Sequence, residues 1–300
     1  MQTVVECVPN FSEGEDRNKV ESIINALVAG PDVHVLDTQM DADHNRTVVT
    51  FVGSRQSVGE AALRAIGRAA ELIDLNDHRG VHPRMGATDV VPFVPVKGVD
   101  LRDCVAIAQW VARETWQRFR IPTYLYEEAA SEPRRKHLEY VRRGQFEQLR
   151  EEVRRNPDRR PDFGDANLHP TAGATAIGAR NFLVAYNINL NASDIGLAKF
   201  IARKIRASSG GLPAVKAIGV EVESAGLAQV SINLTDFLTT SIGTVFDAVS
   251  AEAARAGVPI ESSEIVGLVP RRAVEGVDIA RLKLRNFGPR LILENRLEQT

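Results

Sequence analysis

FLVAYNIN, residues 182–189, decides how the chain is read. It reads as a β-strand, and it restarts an order of elements that the first half has already run through. Residues 192–207 follow as a helix with Ile195, Ala198, Ala202 and Ile205 inward, ended by Gly210 and Gly211. Residues 215–222 and 227–234 read as a hairpin around 224–226. A helix over 241–256 (Ile242, Val245, Val249, Ala253) and a strand over 260–266 complete the order βαββαβ.

The first half gives the same order. A strand over 3–9 and a polar turn over 10–15 lead into a helix over 17–28, with Val20, Ile23, Ile24 and Leu27 at helical spacing. Residues 33–38 form the next strand. The loop MDADHN (40–45) joins it to RTVVTFV (46–52), a strand by its β-branching. A helix over 57–73 and a strand over 90–96 follow. Two such orders with little sequence similarity predict an α+β fold of two ferredoxin-like βαββαβ sandwiches, a duplication over residues 1–178 and 179–300. Clefts favour domain interfaces, so the stretch between the two could line a ligand cleft or serve only as linker.

The stretch joining the halves is less regular. Residues 101–119 read as a helix and 123–126 as a short strand. Residues 131–155 are charged and arginine-rich, with Leu138, Val141, Phe146 and Leu149 as a sparse apolar face. They read as two solvated surface helices broken at Gly144, because charge runs usually solvate. Prolines, glycines and aspartates over 156–179 read as a linker, and the tail, 273–300, is assigned no element.

Composition narrows the function. The chain has 300 residues, 44% hydrophobic and 25% charged, typical of a soluble globular protein. A net charge of -2 argues against a dedicated nucleic-acid binder or a membrane-surface protein. No apolar run approaches the roughly 18 residues of a membrane span. The N-terminus lacks a leader pattern, so a cytoplasmic location is expected. Cys7 and Cys104 are too few and too far apart for a disulfide framework or a zinc site.

The chemistry is expected in DHRGVHPRMGATD, residues 77–89, a non-periodic run with two histidines and two arginines between glycines and a proline. His82 reads as a general acid/base, since imidazole titrates nearest neutrality. It reads equally as a histidine that satisfies loop backbone groups. His78 lies four residues earlier, but Gly80 and Pro83 interrupt any helix that would make this pair a metal site, even with His44 as a third ligand. Arg46, Arg79 and Arg84 offer guanidinium forks for carboxylates. Asp43 and Asp89 are candidates to orient a histidine. GDANLHPTAGAT (164–175) could line a cleft or serve only as linker; it matches neither a Walker A pattern nor a strand–GxGxxG–helix unit.

Taken in order, several of these stretches carry a resemblance: VECVPNFSEG (5–14), NRTVVTFVG (45–53), HRGVHPRMGATDVVPFVPV (78–96), PTYLYEEAA (122–130), PDFG (161–164), GATAIGARNFLVAYNINL (173–190), LAQVSINLTDF (227–237) and IVGLVP (265–270). The chain resembles the glutamate formimidoyltransferase family, the formiminotransferase domain of formiminotransferase-cyclodeaminase, in a stand-alone form. The resemblance implies transfer of a formimino group from N-formimino-L-glutamate to N5 of tetrahydrofolate in histidine breakdown, with tetrahydrofolate as co-substrate, no metal and a homodimer. It implies His82 as the catalytic histidine; from the residues themselves, Asp43 or Asp89 is expected to orient it. Arg46, Arg84, Asn45 and His78 are the expected substrate-binding set. The family's folate-binding segment matches Gly164, Asp165, Ala166, Asn167, Leu168, His169, Pro170, Thr171, Ala172 and Gly173. It departs from the family pattern where Ala172 replaces an aromatic residue and near Leu168 and His169, so an expected stacking contact on the folate ring is missing. Related one-carbon transfer, formiminoglutamate hydrolysis and non-catalytic folate binding are the competing readings.

Overall fold

A computed structural model of the chain describes residues 3–80, 82–222 and 226–300. Val81, and Ser224 and Ala225 of the expected hairpin turn, lie outside the described residues. The chain forms two units, Met1–Arg180 and Asn181–Thr300.

In the first unit β1 (Val4–Cys7) and β2 (Asn10–Phe11) run end to end between β4 (Arg46–Gly53) and β5 (Thr88–Lys97). β3 (Val33–Asp41) pairs with the outer side of β4. The spatial order β5, β1/β2, β4, β3, all antiparallel, is that of a ferredoxin-like sandwich. Helices α1 (Arg17–Leu27) and α2 (Val58–Leu72) pack against each other and bury Val20, Ile23, Leu27, Leu63 and Ile66. Asp16 starts α1 by accepting from the backbone N–H groups of Asn18 and Lys19. α3 (Leu101–Phe119), opened by an Asp100/Asp103 capping box, covers β5 and two added strands, β6 (Thr123–Glu127) and β7 (Thr175–Ala179).

β7 corrects the expected linker. It lies between β5 and β6, parallel to both, and is buried throughout. TAIGA has little β-branching and follows a Gly/Pro-rich stretch, so sequence pattern hid a central strand. Its Gly178 is required by packing, since a Cβ there would sit 2.5 Å from the Tyr126 carbonyl.

The arginine-rich stretch is the second correction. α4 (Leu138–Val141) is one turn, and α5 (Gln145–Arg155) starts at Gly144, φ +82°. Val141, Phe146, Leu149 and Val153 are buried, and so are two arginines around them. Arg159, 2% exposed, donates to the carbonyls of Tyr140 (2.8 Å), Val141 (3.2 Å) and Arg143 (2.7 Å) and pairs with Glu152 at 3.0 Å. Arg135 pairs with Asp162 at 2.6 Å and lies over the Tyr124 ring. The Arg159 guanidinium satisfies carbonyls at the end of the short α4, and Arg135 donates to the Arg160 carbonyl.

The second unit holds β8 (Val184–Leu190), α6 (Ile195–Ile205), β9 (Val215–Val222), β10 (Leu227–Leu234), α7 (Ile242–Arg255) and β11 (Ile260–Val266). Its antiparallel sheet, β11-β8-β10-β9, has the same ferredoxin-like order. Tyr186, Ile188, Ile201, Val230, Ile232 and Val249 build its core. The tail runs beside β11: Ser263 N–H donates to Lys283 O, Arg285 N–H donates back to Ser263 O, and Leu282 and Leu293 are buried.

Candidate active site

Three segments of the first unit cross at one corner: residues 10–14, the β3–β4 turn, and the loop before β5. Asn45, in the left-handed region (φ 43°), ties them together. Its Oδ1 accepts from Gly14 N–H (2.8 Å), its Nδ2 donates to Arg79 O (2.7 Å), and its carbonyl accepts from His78 Nε2 (3.0 Å). The crossing is too close for side chains. A Cβ on Gly14 would lie 2.2 Å from Asp41 O, and one on Gly80 would lie 2.6 Å from His44 O.

His78 is buried, and with Nε2–H given to Asn45 its Nδ1 accepts from Arg84 Nε at 3.1 Å. The rest of the Arg84 fork binds Glu147 bidentately, at 2.8 and 2.6 Å. Arg84 and His78 thus fasten the loop to α5 and to the β3–β4 turn.

His82 faces a small pocket lined by Phe11, Ser12, His44, Asn45, Arg46, His78, His82, Arg84 and Asp89. Its Nδ1 donates to the carbonyl of Pro83 at 2.8 Å, which fixes the tautomer and leaves Nε2 as the acceptor. Arg46 presses its guanidinium against the ring, Nη1 touching both ring nitrogens. Arg142 donates to the same Pro83 carbonyl (3.0 Å) and lies 3.2 Å from Asp89 Oδ2. Burial, then the charges of Arg46 and Arg142, hold the His82 pKa well below the ordinary imidazole value. The ring is therefore neutral at neutral pH, in the form of a base.

Arg46 is itself held by Asn10, whose Oδ1 accepts from Nε at 2.7 Å and from Nη2. Burial and the neighbouring Arg142 push Arg46 down to about 9, which leaves it charged at neutral pH. Among the described residues no carboxylate lies within ion-pair distance of it.

Asp89 is buried, and its Oδ1 accepts from Met85 N–H at 2.9 Å while Oδ2 faces Arg142. It shapes the turn after His82 and does not touch the ring. Asp43 is half-buried on the β3–β4 turn. The carboxylate bonded to a histidine in this turn is Asp41, whose Oδ2 accepts from His44 Nδ1 at 2.9 Å. The rings of His44 and His82 lie 6.2 Å apart.

The stretch from Gly164 to Gly173 joins this corner through its backbone. Ala87 N–H donates to Ala172 O, and Ala174 N–H to Met85 O, both at 2.9 Å, so it pairs with the segment just beyond His82. Gly173 adopts φ +70°, and a Cβ on it would lie 2.2 Å from Met85 O. Leu168 and Ala172 point into the core; His169 and Gly173 exchange backbone hydrogen bonds, and the His169 Nδ1 accepts from Ala172 N–H at 3.0 Å. Gly164, Asp165, Asn167 and Pro170 are exposed, and Ala166 and Thr171 half-buried.

Sequence reasoning thus reached Asn45, Arg46, His78, His82, Arg84 and Asp89 in the pocket lining. It gave no role to Asn10, Ser12, Asp41 or Arg142. Only the Asp-x-x-His spacing of 41–44 offered a signal, and four residues in a turn carry little on their own. Both cysteines are free and buried, and among the described residues no group of three or more His, Cys, Asp or Glu side chains could hold a metal ion.

Comparison with known proteins gives a consistent result. Residues 4–180 match the N-terminal subdomain of the formiminotransferase domain, and residues 185–286 match the formiminotransferase domain. A glutamate formimidoyltransferase of Streptococcus pyogenes serotype M1 is 44% identical over 298 residues, covering 99% of each chain. One from Thermoplasma acidophilum is also 44% identical, over 99% of this chain and 98% of its own. The formimidoyltransferase-cyclodeaminase of Mus musculus is 42% identical over 91% of this chain, which spans 51% of that longer protein.

Proposed function

The chain belongs to the formiminotransferase family, and from that premise we infer that it moves the formimino group of N-formimino-L-glutamate to N5 of tetrahydrofolate, releasing L-glutamate. The observation that carries the chemistry is His82 in the pocket lining, kept neutral by burial and by two arginines, with Nδ1 committed to Pro83 and Nε2 against the Arg46 guanidinium. The N5 amine attacks the amidine carbon and must lose a proton as the tetrahedral carbon forms; His82 Nε2 takes it. A positioned base of this kind typically contributes about 10²–10⁴-fold. Arg46 binds a substrate carboxylate, which draws its guanidinium off the imidazole. Asn45, His78, Arg84 and Asp89 position the loop. The exposed backbone and side chains of Gly164, Asp165, Asn167 and Pro170 contact the folate, without the ring stacking that an aromatic residue at 172 would add.

The family resemblance also supports a homodimer acting in the cytoplasm; light scattering would then give twice the 32.9 kDa chain mass. The function is tested by following glutamate release from N-formimino-L-glutamate with and without tetrahydrofolate. Release that requires tetrahydrofolate is expected. Release without it would make the protein a hydrolase, and no release under either condition would leave a binding protein.

A further inference from the structure

The transfer needs two proton movements, and of the three histidines in the pocket lining His78 has both ring nitrogens engaged, by the Asn45 carbonyl and by Arg84, which leaves two. The second, His44, is held by Asp41 through both of its carboxylate oxygens. Oδ1 accepts from the His44 backbone N–H and Oδ2 from Nδ1–H, each at 2.9 Å. By itself this is a local cap on a turn. Two further facts make it more. Nε2 of His44 has no hydrogen-bond partner among the described residues, and its ring lines the same pocket as His82, 6.2 Å away with the planes tilted by 57°. The position is also fixed: Asn45, the next residue, clamps the Arg79 carbonyl and receives His78, and Gly80 passes directly over the His44 carbonyl.

We propose that His44, oriented by Asp41, is the general acid that protonates the departing glutamate amine, while His82 serves as the base for the attacking amine. The proposal rests on the transfer reading above. As N5 attacks, its lone pair forms the new N–C bond, the amidine C=N pair moves to the imino nitrogen, and the N5 proton passes to His82 Nε2. On collapse the imino nitrogen restores the C=N bond and the C–N bond to glutamate breaks. Its electron pair leaves with the glutamate nitrogen, which takes a proton from Nε2 of the His44 imidazolium, whose Nδ1–H stays with Asp41. His82 is then protonated and His44 has lost one proton, so a single transfer between them, directly or through solvent, resets the site with no net gain. Geometry suits the division of labour. With ring centroids 6.2 Å apart, two imidazoles can each make a hydrogen bond of about 2.7–3.2 Å to a different nitrogen of one tetrahedral carbon. One imidazole serving both would have to reach both nitrogens in turn while its Nδ1–H stays bonded to the Pro83 carbonyl.

The test compares wild type, His44→Ala and the near-isosteric His44→Gln in the tetrahydrofolate-dependent assay, with thermal unfolding as the check on folding. Both variants should lose about 10²-fold in kcat with KM within threefold of wild type, and added imidazole should restore at least tenfold of the His44→Ala loss. Asp41→Asn, which leaves the ring in place without its acceptor, should fall between. A kcat within threefold of wild type, a loss confined to KM, or a kcat loss that imidazole does not reverse would overturn the assignment. Because wild-type release is measured in the same assay, its absence would count against the transfer reading, whereas an active wild type with an equally active His44→Ala would count against His44 alone.

Discussion

At His82 every neighbour but one opposes a proton. Burial removes water from the ring, and Arg46 and Arg142 place positive charge beside it; only the Pro83 carbonyl, accepting from Nδ1, favours the imidazolium. The base form is therefore ready at neutral pH, and kcat/KM should rise with pH along an acidic limb centred below 6.5. The sign for a variant follows directly. Arg142→Met removes a positive charge, so the imidazole gains protons more easily and the acidic limb should shift upward toward 6.5. A pH–rate profile of this variant with the limb unmoved would show that Arg142 does not act on His82. The same residue explains part of what the sequence concealed. Arg142 lies in a run of charge that reads as solvated, sixty residues from His82, and only the fold brings its guanidinium to the Pro83 carbonyl.

Among the elements, those with a strong period were legible and those built on special packing were not. α1, α2, α3, α6 and α7 follow from apolar spacing, and β4 from its β-branching. β7 was hidden because it is rich in small residues of low strand propensity, of which Gly178 is required by crowding against Tyr126. α4 and α5 were expected as surface helices, and their apolar face and the break at Gly144 were read correctly. The buried arginines that flank them, Arg135 and Arg159, were not, since charge in a sequence says nothing about whether a carboxylate and three carbonyls wait for it. Arg159 is the residue on which that corner depends. Arg159→Met keeps much of the volume but leaves Glu152 and the carbonyls of Tyr140, Val141 and Arg143 without their donor. Breaking a buried ion pair from one side typically costs about 3–5 kcal/mol, and urea unfolding should show a loss of that order. A loss under 1 kcal/mol would mean that water or a neighbour replaces the guanidinium.

For the whole molecule, duplication was the most legible property, because two βαββαβ orders survive in pattern although the residues differ. Each unit has the ferredoxin-like strand order and its own core. The first unit adds α3, β6 and β7, and with them the backbone pairing that sets residues 172–174 beside Met85 and Ala87. The site was legible where its residues are clustered in sequence, as in residues 77–89, and obscure where distant segments contribute one side chain each, as with Asn10 and Asp41. Fold alone assigns no activity to such a molecule; the attack step rests on one imidazole in one protonation state. Its most direct test is kcat for tetrahydrofolate-dependent glutamate release by His82→Ala beside wild type, at pH 7.5 and with unfolding temperatures matched. A drop of about 10²-fold or more is predicted, and a variant within threefold of wild type would contradict the assignment of His82 as the base.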